Sequence, residues 1–534
     1  MKTVINVKGE TLMNKKIVVV GGVAGGASFA ARMRRLDEQA EILMFEKGDY
    51  ISFANCGLPY HIGKTIQKRE ELILQTPKSF KKRYDIDVRT LSEVISVSPE
   101  KRTVTVKNGN NTYNEQYDYL VLSPGCIPIR PPIPGIDSKK IFTLRNINDM
   151  DKINSYIEKK NISNAVIIGG GFIGVEMVEN ITHRNINVTL VELADQVLPP
   201  LDREMASMLN SSISKQGITL YLKTGAKEFF DLNDREIKII LSDNRQITTE
   251  LIILAIGVRA DTEFLKDSGI KQNERGFLIV DKFMRTNFDN ILAVGDAVEV
   301  CEFISNQKVQ IPLAGPANRQ GRIAADNITG IQTEYKNTQG TAICKIFNMA
   351  AAVTGINEKS AKRWNIPYMK SYTHSADHAE YYPGAYPVSI KTIFNPATGK
   401  LLGAQIIGKN GVDKRIDIFA TAIRNGLSVS DLTELELAYA PPYGSAKDPV
   451  NVAGFVAQNI IHERMDIIYP EEIEKINFKK QILLDVRTKR EHKANSIENS
   501  LHIPVDELRN RLNELDKQKD ILVYCQVGYR GYVA

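Results

Sequence analysis

The chain has 534 residues, and at about 150 residues per domain this length predicts several domains. With 43% hydrophobic and 25% charged residues it has the composition of a globular protein, which excludes a disordered or fibrous chain. Lys and Arg number 69 against 63 Asp and Glu, so the formal net charge is only +6 and nothing favours nucleic-acid binding.

Apolar stretches and cysteines exclude two further classes. The longest apolar run, Ala165 to Val175, is shorter than the ~18 residues that cross a bilayer, so no membrane segment is predicted. Residues 1–14 have no apolar core of a secretory signal, and we therefore expect a cytoplasmic protein. The 5 cysteines include no C-x-x-C pair, which argues against a disulfide framework or a zinc site.

The first predicted elements form a strand, a glycine loop and a helix. The strand Lys16 to Val20 leads into the loop Gly21 to Gly26 and a helix from Ala27 to Leu36, and a second strand, Glu41 to Phe45, ends at Glu46. Glycines let a pyrophosphate approach the backbone at a helix N-terminus, and the acid accepts a ribose hydroxyl. Taken alone, an ordinary strand-to-helix turn explains this loop equally well.

The same pattern recurs further along the chain. Strand Ala165 to Ile168 leads into Gly169-Gly170-Gly171-Phe172-Ile173-Gly174, a complete G-x-G-x-x-G, and the strand Val188 to Val191 ends at Glu192. Two such loops predict two bound dinucleotides. The acid at Glu192 favours a free ribose 2′-hydroxyl, hence NADH, because a 2′-phosphate would meet a like charge.

A third segment extends the pattern. The strand from Ile291 ends in Gly295-Asp296, which alone is usually a turn. After two nucleotide loops it resembles the second FAD fingerprint of the FAD-dependent pyridine nucleotide-disulfide oxidoreductases, whose aspartate binds the ribitol chain. Segments Tyr119 to Gly125 and Leu251 to Gly257 resemble the strands by which that family's chain passes between its FAD and NAD domains.

The resemblance covers residues 16 to about 460 and implies an α/β fold with two Rossmann-like dinucleotide-binding domains. It divides the chain into an FAD domain (14–145), an inserted NAD(P)H domain (146–258), the rest of the FAD domain (259–335), an α+β dimerisation domain (336–460) and a linker (461–474). It assigns these residues to cofactor binding: Gly21, Gly22, Val23, Ala24, Gly25, Gly26, Glu46, Lys47, Ser123, Pro124, Gly125, Gly169, Gly171, Gly174, Glu192, Gly257 and Asp296.

Cys56 is the first candidate for a reactive thiol. Flavin reductases of this family usually carry C-x-x-x-x-C, but here His61 stands at the second position. A lone cysteine cannot close an internal disulfide, so its oxidised form must be a mixed disulfide, a persulfide or a sulfenic acid. We expect helix N-terminal amides and the flavin to lower its pKa below the usual value of about 8.5.

The surroundings of Cys56 narrow the resemblance. The stretch Ile51 to Tyr60, which contains Ser52 and Asn55, resembles the active-site signature of coenzyme A-disulfide reductases and of related single-cysteine NADH oxidases and peroxidases. The oxidases and peroxidases typically have a histidine in the first glycine loop, where this chain has Ala24, so the reductases are favoured. We expect Ser52 and Asn55 to contact substrate.

Tyrosines near the end of the flavoprotein region support the same resemblance. Tyr381 and Tyr382, together with Tyr439, resemble the paired tyrosines that coenzyme A-disulfide reductases bring to the cysteine across a dimer interface, and Tyr443 is assigned to substrate binding. Hydroxyl groups there would protonate or stabilise a leaving thiolate. The alternative is that these tyrosines simply pack under a loop.

Arg32 and Arg35 follow the first glycine loop and are spaced to share one helix face. The ordinary interpretation is a solvated surface. The functional alternative is that they bind the phosphates of coenzyme A, with Lys81, Lys82 and Arg83 as helpers.

The C-terminal segment contains a second candidate thiol. Strands Ile482 to Asp485 and Ile521 to Tyr524 flank a predicted helix, Val505 to Leu515. The loop from Cys525 to Arg530 then resembles the active-site loop of rhodaneses, in which backbone amides and the arginine cradle a sulfur anion. Because the chain stops at Ala534, we expect the helix after this loop to be missing, the rhodanese domain (475–534) to be incomplete, and its thiosulfate sulfurtransferase activity to be low.

Together the patterns predict a homodimeric flavoprotein reductase. It would use NAD(P)H and FAD to reduce coenzyme A disulfide, persulfide or polysulfide through Cys56, and Cys525 would handle sulfane sulfur. An NADH oxidase or peroxidase, or a flavin-containing sulfur carrier or redox sensor, remains an alternative. We expect no metal, and structural roles for the other three cysteines, Cys126, Cys301 and Cys344.

Overall fold

The computed structural model describes residues 15–534, so the prediction about residues 1–14 lies outside the described residues. The chain forms two compact units. One runs to Gly340 and includes Cys344–Phe347, and the other comprises Thr341–Ile343 and Asn348–Ala534. Among the described residues no helix has the length and apolar character that a membrane span needs.

The first unit begins with strands β1 (Lys16–Val20), β2 (Glu41–Phe45), β3 (Asp87–Arg89), β4 (Ser92–Ser98), β5 (Thr103–Asn108), β6 (Asn111–Gln116), β7 (Tyr119–Leu122), β8 (Cys126–Pro128) and β9 (Ile141–Phe142), and with helices α1 (Ala24–Leu36), α2 (Leu58–Ile62), α3 (Pro77–Tyr84) and α4 (Ile147–Lys160). Short 3-10 helices lie at Asn55–Gly57 and Arg69–Leu72.

The chain then forms β10 (Asn164–Ile168), α5 (Phe172–Thr182), β11 (Asn187–Val191), α6 (Arg203–Lys215), β12 (Thr219–Tyr221), β13 (Ala226–Asp231), β14 (Ile237–Leu241), β15 (Gln246–Thr249) and β16 (Leu251–Leu254). It continues with β17 (Val258–Ala260), a 3-10 helix at Glu263–Leu265, β18 (Leu278–Ile279), β19 (Ile291–Ala293), β20 (Val298–Cys301), β21 (Lys308–Val309) and α7 (Ala314–Ile328).

The remaining elements are β22 (Ala342–Ile346), β23 (Met349–Gly355), α8 (Glu358–Arg363), β24 (Met369–Ala376), β25 (Pro387–Phe394), β26 (Leu401–Gly408), α9 (Val412–Arg424), α10 (Pro449–Ile461), β27 (Gln481–Asp485), α11 (Lys489–Ala494), β28 (Leu501–His502), α12 (Val505–Leu508), β29 (Asp520–Tyr524) and α13 (Tyr529–Val533). Further 3-10 helices lie at Asp431–Glu434, Pro470–Lys475 and Leu512–Glu514.

Two parallel sheets that share the arrangement of four of their five strands dominate the first unit. One has the order β19-β7-β1-β2-β3 and the other the order β12-β11-β10-β16-β9. In the chain, the three-stranded antiparallel sheet β4-β5-β6 comes just before β7, and the sheet β13-β14-β15 comes just before β16. The central strands β1 and β10 are buried along most of their length, as the continuous apolar sequences of parallel strands predict.

These elements match the sequence prediction closely. Strands β1 and β2 have the predicted bounds, and β10 and β11 each begin one residue earlier than expected. Helix α1 starts at Ala24 rather than Ala27, inside the glycine loop. Both loops therefore end directly in a helix, which places backbone amides where an anion can bind.

The second unit contains an antiparallel sheet in the order β23-β26-β25-β24, against which α9 and α10 pack. Asp448 is the N-cap of α10, and its side chain accepts a hydrogen bond of 3.0 Å from Val450 N. The last part of the unit is a small parallel sheet in the order β28-β27-β29 over an apolar cluster that includes Leu484, Val486 and Ile503.

Two predictions for this last part are wrong. The expected helix Val505 to Leu515 is two short pieces, α12 and the 3-10 helix Leu512–Glu514. The helix that we expected to be missing after the Cys525 loop is present as the five residues of α13. Gly528 has a φ of +93°, which turns the chain into this helix. Tyr532 N donates to the Gly528 carbonyl oxygen, and Ala534 N donates to the Arg530 carbonyl oxygen.

Candidate active site

The first glycine loop is closed by a carboxylate. Gly22 N donates to Glu46 Oε2 over 2.9 Å and Gly48 N donates to Glu46 Oε1 over 2.8 Å, so the acid at the end of β2 is held beside the loop. Gly26 is required by close packing, because a Cβ there would lie 1.9 Å from the Gly21 carbonyl oxygen. This is the backbone geometry that the predicted dinucleotide-binding loop requires.

The second glycine loop repeats this arrangement. Gly170 N donates to Glu192 Oε2 over 2.5 Å, and Ala194 N donates to Glu192 Oε1 over 2.6 Å. A Cβ on Gly174 would lie 1.8 Å from the Gly169 carbonyl oxygen. The two loops thus differ in sequence at their middle position, which is Val23 in the first and Gly171 in the second. They share the same backbone contacts to a carboxylate and the same close approach of two glycines.

A cavity of about 1170 Å³, including its open part, lies at the first loop. It brings together most of the residues predicted to bind cofactor, namely Gly21, Val23, Ala24, Gly25, Glu46, Lys47, Ser123, Pro124, Gly125 and Asp296. Gly22 and Gly26 shape the loop without lining the cavity, and Gly257 accepts a hydrogen bond from Ile129 N at the end of β16. Gly169, Gly171, Gly174 and Glu192 form the separate second loop.

Several residues of this cavity were not predicted from the sequence. Arg145 lines it, and its guanidinium donates to the Cys126 carbonyl oxygen over 2.5 Å. Asp261 also lines it and forms an ion pair with Lys47. These residues belong to segments distant in the chain and carry no motif of their own. Burial raises the pKa of Asp296, which also faces the cavity.

Cys56 lies next to this cavity, in the 3-10 helix Asn55–Gly57 that precedes α2. The thiol is exposed, whereas Asn55 lines the cavity. Among the described residues, the buried Oδ1 atom of Asn55 has no hydrogen-bond partner. Ser52, with φ of +44°, donates its N–H to the Gly22 carbonyl oxygen over 2.8 Å and so ties the thiol segment to the first loop.

The prediction that the pKa of Cys56 lies below its usual value is wrong as far as the protein's own groups are concerned, because together they raise it. Partial burial raises the pKa of Cys56, and the negative charges of Glu176 and Asp296 raise it further. A backbone hydrogen bond opposes these effects without reversing them. Because the thiol is solvent-accessible, its desolvation is incomplete, and the nearby carboxylates are the specific feature of this site.

Glu176 on α5 is a further group of this site that no sequence motif indicates. Its Oε1 atom accepts a hydrogen bond of 3.3 Å from the Tyr60 hydroxyl on α2. Burial raises the pKa of Glu176 to about 7. The neighbouring Glu179 is buried and pairs with Lys345 over 2.5 Å, and the pKa of buried Cys344 is also raised, chiefly by desolvation.

The two arginines proposed for substrate have different surroundings. Arg32 Nε donates to Asp326 Oδ1 on α7 over 2.8 Å, so it serves the packing of α1 against α7. Arg35 is exposed, as are Lys81, Lys82 and Arg83 on α3. Of the pair, only Arg35 presents an accessible cation.

The tyrosines of the second unit lie at its surface. Tyr381 and Tyr439 are 75% and 48% exposed, and their hydroxyl groups are hydrogen-bonded to each other over 2.8 Å. Tyr443 is 72% exposed. Packing under a loop, the alternative interpretation, therefore does not describe these side chains.

The second thiol has a partly formed cradle. Gly528 N donates to Cys525 Sγ over 3.1 Å. Arg530 interacts with Cys525 and is at the same time paired with Glu491, to which its Nη1 and Nη2 atoms each donate over 2.7 Å. Asp485, fully buried beneath the loop, is held by a bidentate contact from Arg487 and by the Tyr524 hydroxyl.

Three known domains match this chain. Residues 15–321 match Pyridine nucleotide-disulphide oxidoreductase, residues 341–449 match the dimerisation domain of the same family, and residues 470–534 match the Rhodanese-like domain. The chain belongs to the pyridine nucleotide-disulphide oxidoreductase family. The predicted fold class is confirmed.

Relatives of known identity cover most of the chain. It is 36% identical over 446 residues to the coenzyme A disulfide reductase of Staphylococcus epidermidis, which corresponds to 83% of this chain and 100% of that protein. The structure of reduced CoADR-RHD from Bacillus anthracis is 49% identical, with a TM-score of 0.96 over 98% of this chain and 94% of that one. The NAD-dependent persulfide reductase of A. fulgidus is 34% identical, with a TM-score of 0.91 over 97% and 95%.

Proposed function

We propose that this protein is an FAD-dependent reductase that uses NADH to reduce coenzyme A disulfide or coenzyme A persulfide through Cys56. The observation that carries the proposal is a single exposed thiol beside a cavity built on a dinucleotide-binding loop. The named activities of the Staphylococcus epidermidis and A. fulgidus relatives support it. Ala24 lines the cavity where peroxide-reducing relatives are expected to have a histidine.

FAD fits the cavity at the first loop. The loop amides and glycines suit a pyrophosphate, Glu46 suits a ribose, and the unpartnered Asn55 Oδ1 atom suits a polar edge of a ligand. Asp296, whose carboxyl is partly buried in the cavity wall, suits the ribitol hydroxyls. Bound FAD supplies a two-electron carrier between NADH and the disulfide.

The second loop is the proposed NADH site. The open space around Gly171, where a Cβ would have no described atom within 4 Å, leaves room for a pyrophosphate. Glu192 is oriented by two backbone N–H groups and presents its carboxylate to the ribose. Its negative charge disfavours the 2′-phosphate of NADPH.

The thiol chemistry follows from a single cysteine. The Cys56 thiolate attacks one sulfur of coenzyme A disulfide, a Cys56–sulfur bond forms, the substrate S–S bond breaks, and one coenzyme A thiolate leaves with a proton. An electron pair from NADH then breaks the mixed disulfide into the Cys56 thiolate and a second coenzyme A thiolate. With a persulfide substrate the same steps release hydrosulfide and coenzyme A. The balance is NADH + H⁺ + CoAS–SCoA → NAD⁺ + 2 CoASH.

The protein is proposed to act as a homodimer. The matched dimerisation domain and the exposed Tyr381–Tyr439 pair support a site in which these hydroxyl groups serve the Cys56 of the other copy. There they protonate the leaving thiolate, and Tyr443 and Arg35 contact the coenzyme A moiety. Cytoplasmic location and the domain division given above are part of the proposal, and five free cysteines are consistent with a reducing compartment.

Cys525 is proposed to handle sulfane sulfur. Its thiolate would take the outer sulfur of a donor persulfide, leaving the donor as a thiolate and Cys525 as a persulfide. Gly528 N already contacts the sulfur that would carry this charge. Arg530, which already interacts with Cys525, would complete the cradle.

The decisive experiment is steady-state NADH oxidation by the FAD-loaded protein with coenzyme A disulfide, coenzyme A persulfide and oxygen as separate acceptors. We expect both sulfur acceptors to be reduced, and Cys56→Ser to lose at least 100-fold in rate with either. Cys301→Ser, which changes another partly accessible thiol, is the control and should keep the wild-type rate. Turnover of oxygen alone would identify an oxidase, and binding of FAD without turnover of any acceptor would identify a carrier or sensor.

A further inference from the structure

A buried arginine lies at the base of the two tyrosine-bearing segments. Arg415 is fully buried, although it lies in the first turn of α9, where the helix dipole disfavours a cation. Burying a guanidinium there is costly unless all its donors are satisfied. Its contacts therefore identify what it holds in place.

Arg415 joins three separate segments. Its Nε and Nη2 atoms form a fork on Asp448, over 3.0 Å to Oδ1 and 2.8 Å to Oδ2. Nη2 also donates to the Asp377 carbonyl oxygen over 2.7 Å, and Nη1 donates to the Gly411 carbonyl oxygen over 3.1 Å. A planar fork of this kind fixes both distance and orientation, which an ammonium group cannot do.

Asp377 closes the segment that carries Tyr381. Asp377 N donates to the Tyr386 carbonyl oxygen and Tyr386 N donates to Asp377 Oδ1, each over 2.9 Å. His378 Nδ1 lies 2.8 Å from Asp377 Oδ1, and Asn410 Nδ2 donates to Asp377 Oδ2 over 2.9 Å. The segment between 377 and 386 is therefore anchored at one point, and Arg415 contacts that point.

Asp448 ends the segment that carries Tyr439 and Tyr443. It caps α10 through Val450 N, and it accepts the fork of Arg415. The neighbouring Lys414 donates to the Tyr443 carbonyl oxygen over 2.6 Å, so adjacent residues of α9 contact the middle and the end of this segment. At the tips of the two segments the Tyr381 and Tyr439 hydroxyl groups meet at 2.8 Å.

We infer that Arg415 is a positioning residue for the Tyr381–Tyr439 pair. It fixes the bases of the two segments so that the two phenols meet at the exposed tips. A buried ion pair contributes little net stability compared with apolar side chains of the same size, so stability alone does not account for it. The inference rests on the proposed function in one respect, that the tyrosine pair acts on the leaving thiolate.

The test compares Arg415→Met with Lys391→Met. Lys391 is equally buried in the same unit and pairs with Glu358. Its replacement therefore removes a comparable buried ion pair and serves as the control for a general loss of structure. In FAD-loaded protein carrying 3-fluorotyrosine at position 381, fluorine NMR reports the phenol pKa, which the hydrogen bond between Tyr381 and Tyr439 raises. Tyr439→Phe defines the signal without that bond.

We expect Arg415→Met to shift the fluorine signal and the phenol pKa at least halfway to the Tyr439→Phe values, and Lys391→Met to leave both unchanged. With coenzyme A disulfide, kcat should fall at least 10-fold in Arg415→Met, while KM for NADH and the NADH-driven reduction of a small dye stay within 2-fold. Arg415→Lys, which keeps the charge but not the fork, should lie between Arg415→Met and the wild type. If Arg415→Met does not fold, Arg415→Lys takes its place in every measurement.

Wild-type fluorine signals and wild-type kcat in both Arg415 variants would overturn the inference. An equal shift in Lys391→Met would overturn it too, because the effect would then be general loosening. If the wild type itself does not reduce coenzyme A disulfide, the proposed function fails, and the fluorine comparison alone decides whether Arg415 positions the tyrosine pair.

Discussion

The hydroxyl group of Tyr60 donates a 3.3 Å hydrogen bond to Glu176 Oε1, which links the helix after the reactive thiol to the helix after the second glycine loop. Glu176 also raises the pKa of Cys56 through its charge. The thiol segment and the proposed NADH-binding loop thus share one carboxyl group whose pKa lies near 7. Protonation of that group is therefore sensitive to pH in the range where the enzyme would work.

Glu176→Gln should stabilise the protein at alkaline pH. The folded-state pKa of Glu176, about 7, lies above its usual value of 4.5, so folding favours the protonated form. That contribution is complete below pH 4.5 and is lost as the pH rises through 7. Relative to wild type, the free energy of unfolding of Glu176→Gln should be about 1–3 kcal/mol higher at pH 8.5 and unchanged at pH 4.5. Denaturant unfolding of the holoenzyme at both pH values measures this, and an equal difference at both would contradict the assignment.

Glu176→Gln should also lower the pKa of Cys56, because it removes the carboxylate whose charge opposes ionisation of the thiol most strongly. The measurement is the pH dependence of alkylation of the NADH-reduced enzyme by iodoacetamide, with Cys56→Ser as the blank. Glu158→Gln changes an exposed carboxylate that pairs with Lys64 and should leave the midpoint unmoved. An unchanged midpoint in Glu176→Gln would show that Glu176 does not act on the thiol.

The two loop carboxylates should separate the two nucleotides. Glu192→Gln removes the charge that opposes a 2′-phosphate, so the ratio of kcat/KM for NADPH to that for NADH should rise at least 10-fold while the FAD content stays at the wild-type level. Glu46→Gln, the matched change in the first loop, should lower FAD affinity and leave this ratio alone. Comparable effects of both variants on both nucleotides would mean that the loops are not assigned correctly.

Glu491→Gln should increase sulfur transfer at Cys525. The wild-type carboxylate binds both terminal nitrogens of Arg530, and this contact holds the pKa of Glu491 well below its usual range. Neutralising it frees the arginine for an anionic donor, so KM for thiosulfate should fall about 2- to 5-fold in a thiosulfate-to-cyanide assay. Glu498→Gln, an exposed change in the same domain, is the control. The Cys56→Ser background excludes a contribution from the first thiol.

Arg35 and Arg32 should behave differently although they share a helix. Arg35→Ala should raise KM for coenzyme A disulfide several-fold without changing the melting temperature, because Arg35 is exposed. Arg32→Ala should lower the melting temperature, because it leaves the buried Asp326 without its ion-pair partner. An unchanged KM in Arg35→Ala would remove Arg35 from the substrate site.

Sequence patterns predicted the parts of the molecule that depend on local constraints. Both glycine loops, their flanking strands and the acids Glu46 and Glu192 could be identified, because steric demands of a strand-loop-helix turn restrict the residues allowed there. The two thiols could be selected for the same reason. Cys56 and Cys525 are each followed by a glycine-containing segment whose order of residues resembles a known active-site motif.

Contacts between distant segments could not be predicted. Nothing near Glu176 indicates that Tyr60 lies opposite, and Glu491, which caps α11, gives no sign of its contact with Arg530. In the sequence Arg415 is an ordinary helix residue, and nothing there indicates its contact with Asp448. The sign of the Cys56 pKa shift was missed because it depends on such carboxylates rather than on the short helix that follows the thiol.

In the proposed homodimer the exposed Tyr381–Tyr439 pair of one copy serves the other copy, so we expect turnover to depend on protein concentration. A single chain would then lack these phenols at its own Cys56, so diluting the enzyme below the dissociation constant of the dimer should reduce activity per chain. Mixing Cys56→Ser chains with Tyr381→Phe/Tyr439→Phe chains would restore activity, because one of the two sites in each mixed dimer would be intact. In cells that contain little of this protein, the reductase activity would then be lower than expected in proportion to the amount of protein present.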